Sequence, residues 1–287
     1  MIEQQPQSTK PAEKLTVGLL YAGIGSLITI VFSQYRPLLS ESYDLLGRIG
    51  LLLILLIFTL LARRHPILHR YWRLLFGMLI TLTAISLDWW IARFMQGPLG
   101  LVATTPAGLA FEKLRSGIIV ISVILVFTKL SGDSLGSIYV QKGKLKAGLI
   151  FGLVAFAIAA IGAIPMSKIM FTDTQITLGQ IVNWAPWILL FVLANAANEE
   201  LLFRGLFLRK LEPFFGKTLS NILIVLVFTV LHLGATYTKD QVFFLVILVP
   251  LALAWGYVMQ KTESVWGSIL FHAGMDIPII ISIFSAM

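Results

Sequence analysis

Cysteine is absent from the 287 residues. That excludes disulfides, thiolate nucleophiles and cysteine-based metal or iron–sulfur sites. Charge is scarce too: 13% of residues are charged against 57% hydrophobic, with a mean hydropathy of +0.88. This balance excludes an ordinary soluble domain and indicates an all-α polytopic membrane protein. Acidic residues are the scarcer sign, 14 against 22 basic ones, for a net charge of +8. In a soluble protein that surplus would suggest nucleic acid. In a chain this apolar it reads as basic loops that fix topology and meet anionic membrane lipids, so no nucleic-acid partner is expected. Neither an internal repeat nor a low-complexity segment is visible.

What the chain has in abundance is long apolar runs: Leu15–Phe32, Leu45–Ala62, Leu74–Ile91, Gly117–Leu130, Ala147–Ile164, Trp184–Leu202, Leu219–Leu233, Val242–Val258 and Val265–Phe284. They predict eight or nine transmembrane helices, with Gly117–Leu130 and Leu219–Leu233 the shortest for a span of about 20 residues. The expected organisation is a cytoplasmic tail at 1–14, N-terminal transmembrane helices at 15–140 and a core at 147–287. No small-residue cleavage site follows Lys10 and Lys14, so the first run reads as a retained span. With nine spans and the N-terminus cytoplasmic, seven basic residues fall outside: Arg36, Arg48, Arg93, Lys113, Arg115, Lys168 and Lys239. The other fifteen of the 22 fall inside, which favours a multi-pass cell-membrane protein in that orientation. The cluster Arg63-Arg64-His65, Arg70 and Arg73 contributes most, and its histidines read as loop residues. Asp88, beside Trp89 and Trp90 with Arg93 nearby, reads as an interfacial aromatic belt with a local charge pair. The stretch Pro165–Val182, with Lys168 and Asp173, reads as an external loop. Pro186 is expected at the start of the span that follows.

The chemistry concentrates at Asn198-Glu199-Glu200-Leu201-Leu202-Phe203-Arg204-Gly205, at the end of an apolar run. Two carboxylates and a guanidinium there cost several kcal/mol unless something compensates them. Glu200 and Arg204, four apart with the glutamate first, suit a helical ion pair. Glu199 points about 100° away, without a local partner of opposite charge, and Asn195 lies one turn before it. Glu200 and Arg204 therefore read as structural support, with Asn195 beside them, and Glu199 as a lone carboxylate suited to proton transfer. His232 ends another run, one turn after Phe228. His272 and Asp276 share a face of the last one. A lone histidine on an apolar helix is more often packing than chemistry. Two histidines, two glutamates and an aspartate on three helices are harder to explain as packing. Helical rise places Glu199 roughly 16 Å, His232 roughly 22 Å and His272 roughly 12 Å from the cytoplasmic boundary, gaps that tilt can close. The expected site is a cavity inside the bilayer that admits water.

These groups suit peptide-bond hydrolysis. Glu199 would deprotonate a water held also by His232, and His272 would donate to the oxyanion. Asp276 would orient His272, or donate itself when protonated. Ser268 lacks the Gly-x-Ser-x-Gly context of a nucleophile, and such a hydroxyl usually bonds its own helix. Glu199, His232 and His272 are also acceptable zinc ligands. The His-Glu-x-x-His arrangement is absent, however, and a metal-free, cofactor-free mechanism is preferred.

Glu199-Glu200-x-x-x-Arg204, Phe228-x-x-x-His232 and His272-x-x-x-Asp276 resemble, in order and spacing, the three motifs of the CAAX protease and bacteriocin-processing family, whose eukaryotic members include the Ras-converting endopeptidase. The run from Ala254-Trp255-Gly256-Tyr257 through Thr262-Glu263-Ser264-Val265-Trp266 is similar to the family's approach to its third motif. The resemblance covers about 147–287. It implies an all-helical fold with a membrane cavity open toward the cytoplasm, a water held by Glu199 and His232, and an oxyanion stabilised by His272. Where the family carries asparagine this chain has Asp276, and an ionised aspartate accepts hydrogen bonds without donating them. The expected partner is a peptide or protein substrate, lipidated or not. The alternatives are a non-catalytic bacteriocin-immunity or scaffold protein and an ion-coupled transporter, the last predicting inverted repeats that the sequence does not show.

Overall fold

The computed structural model describes residues 10–32, 38–95, 103–171, 175–233 and 235–287. Among them there are helices and no strands, as the composition requires of backbone that must satisfy itself in lipid. Ten α-helices follow in order: α1 Pro11–Val31, α2 Glu41–Arg64, α3 Trp72–Met95, α4 Pro106–Leu130, α5 Leu145–Ile161, α6 Ala163–Met170, α7 Leu178–Glu199, α8 Leu206–Leu231, α9 Gln241–Thr262 and α10 Trp266–Ser285. Short 3₁₀ turns, His69–Tyr71 and Leu135–Ile138, precede α3 and α5, and a π-helical stretch, Glu200–Gly205, joins α7 to α8.

Among the described residues, six helical stretches are long and apolar enough to cross a membrane, or seven if the pair α5–α6, bent by 65°, is one span. This is a multi-pass membrane protein, and the count of eight or nine is not confirmed. The difference has a physical source. The stretch Leu178–Leu231 is 54 residues long, about 80 Å at 1.5 Å per residue and more than twice a bilayer core. It contains two of the apolar runs and breaks at Gly216, whose φ of +68° is open to glycine. The run Gly117–Leu130 lies in α4, which is not among the six.

The helices are not equivalent. In α10, 78% of the apolar window is buried, against 22% in α1 and in α2. So α10 is the central helix, and α1 and α2 present Leu19, Leu53, Phe58 and Leu61 outward. α10 packs on α5, α7, α6 and α9; α4 packs on α7; α1 and α3 lie against α8. Glycine sets the closest crossing. A Cβ on Gly267 of α10 would lie 2.6 Å from the Gly148 carbonyl oxygen of α5, so the two backbones touch as they do in small-residue membrane contacts.

Several expectations change here. α1 begins at Pro11, inside the stretch expected as a tail; residues 1–9 lie outside the described residues, as does Arg36. The loop expected at Pro165–Val182 holds most of α6 and the first turn of α7, and Asp173 lies outside the described residues. A capping box starts α7 early: the Thr177 hydroxyl accepts from the Gln180 N–H, and the Gln180 side chain accepts from the Thr177 N–H. Pro186 is therefore inside the helix, where it removes one backbone hydrogen bond. The charge pair expected between Asp88 and Arg93 does not form. Asp88 accepts from Ser116 at 2.7 Å and faces Arg115 at 3.5 Å, while Arg93 pairs with Glu41 at 2.6 Å and covers the Trp89 ring. Buried Arg48 is satisfied by Asp44 at 2.7 Å and the Phe32 carbonyl at 2.9 Å.

Candidate active site

The π-helical stretch places the acidic pair. Glu199 is the last residue of α7 and Glu200 the first of the wider turn. Glu200 and Arg204 form the ion pair expected from their spacing, 2.7 Å apart and both without exposed side-chain surface. The Arg204 guanidinium also donates to the Ala252 carbonyl at 3.1 Å and lies against the Phe228 and Trp255 rings. A charge pair buried this deeply needs such further contacts to offset its desolvation.

Glu200 does more than pair with Arg204. His272 Nδ1 donates to Glu200 Oε1 at 2.8 Å, and the Ser268 hydroxyl donates to Oε2 at 2.5 Å. Glu200 thus receives hydrogen bonds from α10 as well as from its own turn, and it fixes the orientation of the His272 imidazole. Asp276, expected to orient His272, lies 3.5 Å from the other ring nitrogen, Nε2, and accepts from the Asn195 amide at 2.8 Å. Ser268, expected to bond its own helix, binds Glu200 and is also 3.1 Å from the Trp255 carbonyl on α9. Trp255 completes the holding of His272: the rings are stacked 3.9 Å apart at 5°.

His272 Nε2 lies 3.6 Å from Glu199 Oε2. The Glu199 side chain is 15% exposed against 0% for Glu200, so of the two carboxylates Glu199 is the one an incoming molecule reaches. His232, at the C-terminal end of α8, contacts the Phe228 carbonyl through Nδ1 at 2.8 Å. A carbonyl only accepts, so Nδ1 carries the proton and Nε2 keeps its lone pair. The Phe228 ring lies between the histidines, with centroids 4.5 Å from His232 and 6.1 Å from His272. The structure therefore brings Glu199, Glu200, Arg204, His272, Asp276 and Asn195 into one contact network, with His232 at its edge.

The residues named as candidate zinc ligands are engaged within the chain. His272 Nδ1 is occupied by Glu200 and its Nε2 faces two carboxylates at 3.5 and 3.6 Å, while His232 has only Nε2 free. Among the described residues no three His, Asp or Glu side chains converge as a metal site would require.

Fold and site together define a multi-pass helical membrane protein with a charged, hydrogen-bonded cluster against its most buried helix, α10. Residues 181–278 match a family model described as Rce1-like, type II CAAX prenyl endopeptidase. The matched segment holds all seven residues of the cluster and bears out the resemblance read from the three motifs. The match spans 98 residues (181 to 278), about a third of the 287. No curated protein and no solved structure matches the chain.

Proposed function

We propose that this protein is an endopeptidase that hydrolyses a peptide bond of a membrane-associated peptide or protein, with Glu199 as the general base. The carrying observation is the convergence of α7, α8 and α10: Glu199 stands 3.6 Å from His272 Nε2, and His232 is held with an acceptor nitrogen free. In this reading a water sits between the Glu199 carboxylate and His232 Nε2. Glu199 takes one proton as the water oxygen attacks the scissile carbonyl. The carbonyl oxygen becomes an oxyanion and accepts a hydrogen bond from His272 Nε2–H, whose ring is fixed by Glu200 and Trp255 before substrate arrives. Glu199 then returns its proton to the leaving amine as the C–N bond breaks. Asp276, held by Asn195, lies 3.5 Å from His272 Nε2 and steadies the ring edge that faces the oxyanion. The step needs no metal, and the site opens toward the cytoplasm if the positive-inside orientation holds.

The test compares new protein N- and C-termini in cells making wild type with those in cells making Glu199→Gln at matched membrane levels. Termini present only with wild type are expected, and they name the substrates. Identical termini, with both proteins folded, would favour the immunity or scaffold alternative.

A further inference from the structure

A second feature lies in the first half of the chain, away from the acidic cluster. Where α2 ends and α3 begins, a groove of about 190 Å³ opens between α2, α3 and the end of α4. That is several times the ~30 Å³ share of one water. Its walls are apolar, from Leu56, Leu60, Leu79 and Phe127, and its mouth carries Arg63, Trp72 and Ser131. From Arg63 back to Leu56, and from Trp72 on to Leu79, is seven residues, so the groove runs roughly 10 Å along the helices. A cationic mouth over an apolar trough in a membrane helix bundle matches a molecule with an anionic head and a hydrocarbon chain.

Two buried donors in the groove lack partners. Thr59, 4% exposed, has no hydrogen bond to its hydroxyl, and Trp72, 5% exposed, has none to its indole N–H. The Thr229 and Ser167 hydroxyls and the Trp255 indole N–H are likewise unpaired, whereas other buried threonines are not. Thr29, Thr81 and Thr262 each return the hydroxyl to the carbonyl four residues earlier at 2.8–3.0 Å. Both atoms are sealed in the groove's wall, so each meets a ligand acceptor only once its side chain turns toward the groove, and the bond then recovers the cost of leaving it unpaired. The charges at the mouth also differ. Arg73 is paired with Asp133 at 3.0 Å, whereas Arg63 has no carboxylate partner among the described residues and rests 5.1 Å over the Trp72 ring. Arg63 is therefore available to an anion at the mouth of the groove.

We propose that this groove is a binding site for an anionic phospholipid, with one acyl chain along Leu56, Leu60, Leu79 and Phe127. The phosphate lies against Arg63 and the Trp72 N–H. Thr59, one helical turn (roughly 6 Å) further in, donates to an acyl ester carbonyl. The proposal is independent of the catalytic reading.

Full-length protein, delipidated in neutral detergent, is titrated with phosphatidylglycerol or phosphatidylcholine, and bound lipid is counted by native mass spectrometry. One phosphatidylglycerol is expected to be retained in preference to phosphatidylcholine. Arg63→Gln and Trp72→Phe should each lower its retention about fivefold or more. Arg64→Gln, which alters an exposed neighbour not lining the groove, should change it less than about twofold, since no specific contact is lost. Soluble glycerol phosphate should not compete, because it lacks the chain. Equal losses for Arg63→Gln and Arg64→Gln would reduce the effect to diffuse surface charge and overturn the site. So would displacement by glycerol phosphate, which would make it a plain phosphate site. A dimer in place of bound lipid, abolished by Arg63→Gln, would assign the groove to a second copy of the chain.

Discussion

Truncating Glu200 to alanine tests the central network most directly. The side chain has no exposed surface and receives three hydrogen bonds: from Arg204 at 2.7 Å, His272 Nδ1 at 2.8 Å and Ser268 at 2.5 Å. Its removal leaves the Arg204 guanidinium buried with only the Ala252 carbonyl and two ring faces for company. Breaking one partner of a buried pair costs about 3–5 kcal/mol. For a chain of this size that corresponds to a melting shift on the order of 10 °C. The assay is thermal unfolding of purified protein in detergent, followed by tryptophan fluorescence. Arg204→Ala should be similarly damaging. The double variant Glu200→Ala/Arg204→Ala should be less damaging than the sum by about 1–3 kcal/mol, because no unpaired charge remains. A Glu200→Ala protein that melts within a degree or two of wild type, or strict additivity in the double variant, would refute the argument that this carboxylate holds α7, α9 and α10 together.

Three other outcomes follow from the same geometry. Glu199→Gln and His232→Ala should lower turnover by about 10²–10⁴-fold while melting near wild type, since both side chains stand at the edge of the network; a large melting shift in either would argue for a structural role. Turnover should survive an excess of a zinc chelator, and activity lost to the chelator and restored by zinc would replace the glutamate–water mechanism with a metal one. Gly267→Ala puts a methyl group 2.6 Å from a backbone oxygen of α5; the backbone cannot yield as a side chain can, so a loss of about 1–3 kcal/mol is expected in the same melting assay.

Why the acidic cluster was legible in the sequence is physical. Charge is so costly inside lipid that Glu199, Glu200, His232, His272 and Asp276 each stand out against their apolar runs. Helical periodicity also gave the Glu200–Arg204 pair. Periodicity stops at i+4, however. The bonds from Glu200 to His272 and Ser268, and from Asn195 to Asp276, join residues 68 to 81 apart, and no spacing rule reaches that far. The role of Trp255 was hidden for the same reason, since a tryptophan in an apolar helix gives no sign of which ring it will cover. The span count suffered from the opposite fault. Hydropathy windows see apolar length and not backbone geometry, so neither the left-handed turn at Gly216 nor the bend between α5 and α6 was visible.

The π-helical stretch has a consequence for how such a site tolerates change. A wider turn holds one residue more than the α-helix it interrupts. Removing a single residue from Leu201–Phe203 would let the chain close into an unbroken α-helix with every side chain chemically intact. It would also bring Glu200 and Arg204 from four residues apart to three, a spacing that still shares one helix face, and would leave α7 and α8 nearly in phase, because the wider turn had already absorbed the extra residue. Substitutions at Leu201, Leu202 or Phe203 are repacking problems, whereas a one-residue deletion removes the widening and resets the reach between the acidic pair and the guanidinium.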